Sequence, residues 1–293
     1  MKKLIALFFI TVIQNLYSQQ TPSLVFDKHY ADLVNRHVAF PSLKTNGSFV
    51  AAYIYLDPKE GIFAHYEKSF HFGPNNELIS DGIDTNELHR IRLGRAYNFK
   101  LAELNNEHCA LLNLPIQPNS VAYYQYTSEQ RLFLTGKYLN DDREFERAQP
   151  FLEQLHQQQA HFPDLEIQLA YCYNGQRRYD LTIALLPKAM EHNPNEPLFY
   201  KELAFAFLNS GMTTMAEKTY QQCLERTQDA NLKSEIGASM AYYFYLQKKE
   251  EPFKTWCKVV ADNASAGSQY FLLLEQLERN WNNRPTQELQ IKN

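Results

Sequence analysis

Three side chains stand where they could share one chemical task. His65, Glu67 and His71 occupy positions i, i+2 and i+6 of a run of β-forming residues, so on a regular strand they project to one side. Imidazole and carboxylate together ligate zinc or pass a proton. Their spread argues against both roles, because positions i to i+6 of a strand cover roughly 20 Å and one metal ion would need another segment to fold back. The expected reading is a solvated sheet face, with metal binding or an enzymatic site here as the alternative. Four cysteines, Cys109, Cys172, Cys223 and Cys257, lack the tight spacing of a disulfide framework or a CxxC redox pair, and are expected to be free, buried thiols. No GxSxG, HExxH, phosphate-binding glycine loop or convincing Cys/His pair is present, so neither catalysis nor a cofactor is expected.

The elements that would hold these residues are β-rich. Ser48 to Asp57 and Ile62 to Phe72 are rich in Val, Ile, Tyr and Phe, and Asp57-Pro58-Lys59-Glu60-Gly61 joins them as a hairpin turn. In the second run Ile62, Ala64, Tyr66, Phe70 and Phe72 share one parity, which predicts one buried and one wet face. Shorter strands are expected at Glu77–Ser80, Ile91–Leu93 and Asn98–Leu104, making a small sheet of four or five strands. A helix is expected at about residues 27 to 37, from the spacing of Phe26, Tyr30, Leu33 and Val34, and another at Asn105–Leu112.

Composition bounds the remaining function classes. The 293 residues are 44% hydrophobic and carry a net charge of −4, which disfavours nucleic acid as a partner. Lys2 and Lys3 precede an apolar run from Leu4 to Ile13, followed by the polar stretch Gln14–Gln20, the order of a secretory signal peptide. The run is half the roughly 20 residues that cross a bilayer, so no membrane insertion is expected after cleavage. The expectation is an exported, soluble protein of the periplasm or extracellular space, with a charge of about −6 once both lysines are removed.

From Glu129 the pattern becomes periodic. Gly136, Ala170 and Ala204 are 34 residues apart, as are Leu139, Tyr173 and Phe207, and Leu152, Leu186 and Tyr220. Such a period calls for stacked helical hairpins. Small residues let two antiparallel helices approach, and aromatic knobs fill the holes of the next unit.

On these residues the chain resembles the tetratricopeptide repeat (TPR) family. The third copy, Pro197–Ala230, supplies Tyr200, Leu203, Ala204, Phe207, Gly211, Ala216, Tyr220 and Cys223. The second, Pro163–Glu196, supplies Leu169, Ala170, Tyr173, Tyr179, Leu186 and Ala189, but has Glu166 and Thr182 at positions usually apolar or small. The first, Glu129–Phe162, supplies Leu132, Gly136, Leu139, Phe145, Ala148 and Leu152, with Ser128 ahead of it as the expected N-cap. A degenerate fourth copy aligns Ile236, Tyr243 and Trp256 with a slip of two residues, and a helix capped by Ser268 closes the stack. The whole arrangement is similar to exported TPR-containing proteins of Gram-negative bacteria with a small β-rich N-terminal domain.

The resemblance implies a concave groove lined by the first helix of each hairpin. The positions carried over are Phe133, Lys137 and Asn140, then Ile167, Tyr171 and Asn174, then Lys201, Phe205 and Leu208, with Phe244 in the fourth copy. This surface suits an apolar or amphipathic segment of another protein, although the chain's own N-terminal domain or capping helix is a second candidate to cover it. The subclass that binds acidic chaperone C-termini is excluded, since Phe133 and Lys137 stand where it carries Lys and Asn. The expected fold class is α+β: a signal peptide over 1–19, a β-rich domain over 20–126, a TPR-like solenoid of about four hairpins plus a capping helix over 127–284, and a polar tail over 285–293. The expected function is that of a non-catalytic interaction scaffold, with a monomer favoured.

Overall fold

The computed structural model describes residues 23–41, 47–82, 90–97, 99–121, 125–159 and 161–282. The expected signal peptide and polar tail lie outside them. The chain divides into two compact units, residues 1–125 and 126–293.

The first unit is built on an antiparallel sheet of β1 (Arg36–Pro41), β2 (Phe49–Asp57), β3 (Gly61–Phe72), β4 (Leu78–Gly82), β5 (Arg90–Leu93) and β6 (Ala102–Glu103). Its order is β4-β3-β2-β1-β6, with β5 also on β3. The long strand β3 carries both short ones on the same edge: Ile62–His65 pairs with β5, and Ser69–Phe72 with β4. At the β2–β3 turn, Asp57 Oδ1 accepts the backbone N–H groups of Lys59 and Glu60 at 3.0 and 3.1 Å, which closes the turn locally.

Two expectations fail here for tertiary reasons. The helix over residues 27–37 is replaced by a 3₁₀ turn at Tyr30–Leu33 followed by β1. Arg36–Pro41 pairs residue by residue with Ile54–Phe49, so strand pairing wins over local helical spacing. Nor does β3 show one wet face: Gly61–Ala64 and Phe70 are buried and its other residues are half-buried, on both parities. A bulge breaks the parity of β3: Ala51 pairs with Lys68 and Ala52 with Tyr66, leaving Glu67 unmatched. Beyond it Phe70 and Phe72 fall on the side of His65, and His71 on the opposite side.

Helix α1 (Asn106–Leu111) starts with a reciprocal cap between Asn105 and His108. Cys109 on it packs, with Leu104 and Leu112, against Ala39, Ala51, Phe70 and Ala102 of the sheet.

The second unit is all helical: α2 (Ser128–Asp141), α3 (Phe145–Gln158), α4 (Leu165–Gly175), α5 (Tyr179–His192), α6 (Pro197–Asn209), α7 (Thr213–Arg226), α8 (Ala230–Leu246), α9 (Glu250–Asn263) and α10 (Gln269–Arg279). The first N-cap is Thr127 rather than Ser128, in a capping box with Gln130. Sequential pairs form TPR-like antiparallel hairpins, and the molecule is α+β as the sequence indicates. In the first hairpin a Cβ added to Gly136 would come within 2.5 Å of Leu152, so the helices meet where only hydrogen fits. Ala170, Ala204 and Ala216 are fully buried.

The hairpin turns repeat one backbone device. The N–H groups of Glu144, Arg178, Met212 and Lys249 donate to the carbonyls of Leu139, Tyr173, Phe207 and Phe244. The residue before each donor, Arg143, Arg177, Gly211 or Lys248, has a φ of +57° to +78°. This is a Schellman-type end closed in the left-handed region.

The device also fixes the register of the fourth copy. Phe244 takes the place of Phe207, a slip of three rather than two, because α8 runs 17 residues against 13 in α6 and so holds about one extra turn. Ala241, Phe244, Phe253, Cys257 and Val260 then occupy the packing positions, and all are buried. Helix α10, capped by Ser268 Oγ, closes this end with Leu274 and Leu277 buried and Trp281 stacked on Phe253 at 4.3 Å.

Candidate protein-interaction site

The first helices of successive hairpins, α2, α4, α6 and α8, carry the ten residues assigned to the groove. Three of the ten are interior. Asn140 and Asn174 are buried, and each amide reaches across to the next hairpin. Asn140 Nδ2 donates to the Gln168 carbonyl and Oε1 at 2.9 and 3.0 Å. Asn174 Nδ2 does the same to the Glu202 carbonyl and Oε2 at 3.0 and 2.9 Å, while its Oδ1 accepts from Thr182 Oγ1 at 2.9 Å. These residues clamp hairpin to hairpin. Phe244 is 2% exposed, because the three-residue slip turns it inward as the aromatic core position of its hairpin.

The remaining seven keep some access. Phe133 stacks at an angle on Phe162, with centroids 5.2 Å apart. Lys137 is held by Asp141 at 2.6 Å and lies over the Tyr138 ring. Lys201 bridges Glu235 at 2.8 Å and Glu202 at 3.5 Å. Burial works against its charge, and the two carboxylates outweigh burial, so its pKa is raised. Leu208 is half-buried against the repeat core.

Tyr171 and Phe205 are the most open, at 37% and 38%. Each is braced edge-on by an aromatic residue at the start of the preceding hairpin's second helix: Phe145 against Tyr171 at 5.6 Å, and Tyr179 against Phe205 at 6.3 Å. Braces and anchors are both spaced by 34 residues, so the row is a repeat feature. Sequence reasoning read Phe145 and Tyr179 as packing residues and missed their bracing role, although their spacing signalled it. It also missed Met212, Met215 and Tyr242, exposed at 45%, 50% and 47% around the third and fourth hairpins.

Ile167 lines a cavity of about 230 Å³ with His161, Phe162, Glu166, His192, Glu196 and Phe199 among its walls. Glu166 stands where the other copies have Leu132 and Tyr200, so a carboxylate replaces a bulky apolar plug. It accepts from His161 Nδ1 at 2.9 Å, and the His161 ring lies 3.8 Å from that of His192. In the next copy the plug is present: Tyr200 donates its hydroxyl proton to the Pro194 carbonyl at 2.8 Å and lies under the Arg226 guanidinium.

The alternative site does not assemble as His65, Glu67 and His71. Glu67 is turned onto His37 of β1, and His71 bonds Asp81 on the opposite face at 2.6 Å. Among the described residues no group of three or more His, Cys, Asp or Glu side chains is arranged to hold a metal ion.

No family model matches the chain, and no curated protein matches it. Two solved structures are similar at low identity. One, described as MamA MSR-1 C2, is 16% identical over 59% of this chain and 87% of its own, with a TM-score of 0.38. The other, described as MamA RS-1 ArsTM double mutant, is 13% identical over 61% and 87%, with a TM-score of 0.39. Likeness at this level transfers neither fold nor function.

Proposed function

We propose that this protein is a non-catalytic interaction scaffold that holds an apolar or amphipathic segment of another protein on the first-helix face of its repeats. The observation that carries this reading is the braced aromatic row. Tyr171 and Phe205 leave more than a third of their surface in water while each is braced edge-on by a neighbouring ring. Rigid aromatic rings fixed by neighbours lose little entropy on binding and dominate interface energetics. The half-buried Ile167 and Phe133 stand on the same set of first helices, which suits a segment with apolar anchors, while Lys137 and Lys201 are engaged by the chain's own carboxylates. The net charge of −4 disfavours nucleic acid, and no helix among the described residues is long and apolar enough to cross a membrane. The leader-like order of Lys2–Gln20 supports export to the periplasm or beyond.

Photo-cross-linking from Phe205 in the native cell envelope tests the reading. The expected result is one recurrent protein partner, captured by a chain whose mature N-terminus lies near residue 20. Tyr171→Ala with Phe205→Ala should weaken that partner by at least about 30-fold, since one aromatic anchor is worth about 2 kcal/mol or more, while the helical circular dichroism is unchanged. An unchanged capture pattern in the folded double variant sinks the proposal.

A further inference from the structure

The cavity of about 230 Å³ beside Ile167 combines apolar walls with one buried charge. Phe162, Ile167 and Phe199 supply the apolar part. Phe162 is fixed by the Phe133 ring of the first hairpin at 5.2 Å, and Ile167 shares a helix face with Tyr171 four residues on, so the cavity adjoins the open aromatic row. Its charged walls have one sign: Asp164, Glu166 and Glu196 line it, and neither Lys nor Arg does. Glu166 is the buried one, with its side chain 8% exposed. His161 Nδ1 donates to its Oε1 at 2.9 Å, and the second carboxylate oxygen has no partner among the described residues. Glu196 is already engaged in part, since its Oε1 accepts from the Leu198 N–H at 3.0 Å.

We propose that this cavity is a subsite for a lysine side chain carried by the partner segment proposed above; what presents the lysine rests on that reading, whereas the preference of the cavity does not. A lysine matches both halves of the site. Its methylene stem packs on Phe162, Phe199 and Ile167, and its ammonium meets the open oxygen of Glu166, with the aromatic walls adding attraction for a cation. An arginine fork needs two free oxygens side by side, and His161 already holds one of them, so a compact ammonium is the better fit. An acidic side chain would oppose the buried carboxylate, and a plain apolar one would leave it unpaired.

Size and repeat context agree with this. Small-molecule sites run to about 300 to 1,000 Å³, so about 230 Å³ holds one side chain rather than a whole ligand. The repeat position of Glu166 belongs to Leu132 in the first copy and to Tyr200 in the third, where the ring is buried and its hydroxyl is satisfied by the Pro194 carbonyl. A carboxylate in that place carries a desolvation cost that an apolar plug does not, and an ammonium brought from outside offsets it. The rings of His161 and His192, 3.8 Å apart in the cavity wall, stand where they report what enters.

The test is a titration of the histidine-labelled full chain with Nα-acetyl-lysine methylamide and its norleucine and arginine counterparts, at about pH 8, where an ordinary imidazole is neutral and a lysine ammonium is charged. NMR shifts of the His161 and His192 Hε1 protons are the readout. The lysine amide should bind with a Kd of about 1 mM, the level of so small a fragment, the arginine amide several-fold more weakly and the norleucine amide at least about tenfold more weakly. Glu166→Gln should weaken the lysine amide at least about tenfold. Glu166→Leu, which restores the plug of the first copy, should abolish binding without lowering the melting temperature; if it misfolds, Glu166→Gln decides, because it keeps the shape and removes only the charge. No shift at either imidazole up to about 20 mM lysine amide, a norleucine or arginine amide that binds as tightly, or an unchanged affinity in Glu166→Gln overturns the proposal. The amide needs no partner protein, so amide binding with nothing captured at Phe205 would refute the segment and leave the subsite, and capture without amide binding would refute the subsite alone.

Discussion

Replacing Asn174 with Leu should be the most damaging single change on the first-helix side of the repeats. The amide supplies two hydrogen bonds to Glu202, one to its carbonyl and one to its carboxylate, and receives one from Thr182. Glu202 is almost wholly buried, and burial already raises its pKa against the opposing pull of Lys201 and Asn174. Leu at 174 leaves that carboxylate with Lys201 at 3.5 Å as its remaining ion-pair partner. A lost bond to a charged group costs about 1.5 to 3 kcal/mol and a neutral one about 1, so the variant should lose about 3 kcal/mol. For a unit of this size the melting temperature should fall by roughly 6 to 12 °C. Helical circular dichroism, with the fluorescence of Trp256 and Trp281, both in the second unit, reports the transition. Adding Glu202→Leu removes the orphaned charge as well, and the double variant should recover all but about 1 kcal/mol. The same position one repeat on is already apolar, Leu208. A single variant within about 0.5 kcal/mol of wild type, or a double variant no better than the single, would refute the clamp.

Two further outcomes follow from the backbone and from the buried ion pair. At the hairpin turns Gly211 adopts φ +78° with nothing within 4 Å of where a Cβ would stand, so Gly211→Ala should cost about 1 kcal/mol purely through the backbone, whereas Arg177→Gly, at φ +62°, should be neutral or stabilise by up to about 1; urea midpoints measure both, and a destabilised Arg177→Gly would mean the side chain matters more than the turn. His37 is raised from 6.5 to about 9, so the folded sheet holds a proton that the unfolded chain releases between those values. The stabilisation is fully present below about pH 6.5 and lost as pH rises through about 9, by up to about 3 kcal/mol; amide exchange of β1 and β2, corrected for intrinsic rates, should show this loss in wild type and a flat profile in His37→Gln.

The degenerate fourth copy shows where sequence matching reached its limit. A slip of two aligned Tyr243 and Trp256 well enough, yet it placed Phe244 on the surface. The extra turn within α8 became visible only through the capping bond from Lys249 to Phe244, which repeats the bond from Met212 to Phe207. A turn of 3.6 residues preserves the helix face, so periodicity alone barely distinguishes an inserted turn from a short slip. The buried asparagines were misjudged for a related reason. A polar side chain on a first-helix position reads as exposed until a partner on the next hairpin is seen to satisfy it, and Gln168 and Glu202 lie 28 residues further on.

By itself the sequence determined the repeats, because a 34-residue recurrence of small and aromatic residues has one efficient packing solution and each unit dictates its neighbour. It determined the β2–β3 hairpin and the closing helix α10 as well, through local turn chemistry and amphipathic spacing. Tertiary structure alone decided that residues 36–41 form a strand, since only pairing with β2 makes them one. It also decided that Glu67 leaves the face of His71 and turns onto His37 of β1. The reason is physical: helical repeats are specified by adjacent copies of one recurring pattern, whereas the sheet joins unlike segments, β1 to β2 across 8 to 18 positions and β1 to β6 across 63 to 65, and its bulge brings Glu67 to His37.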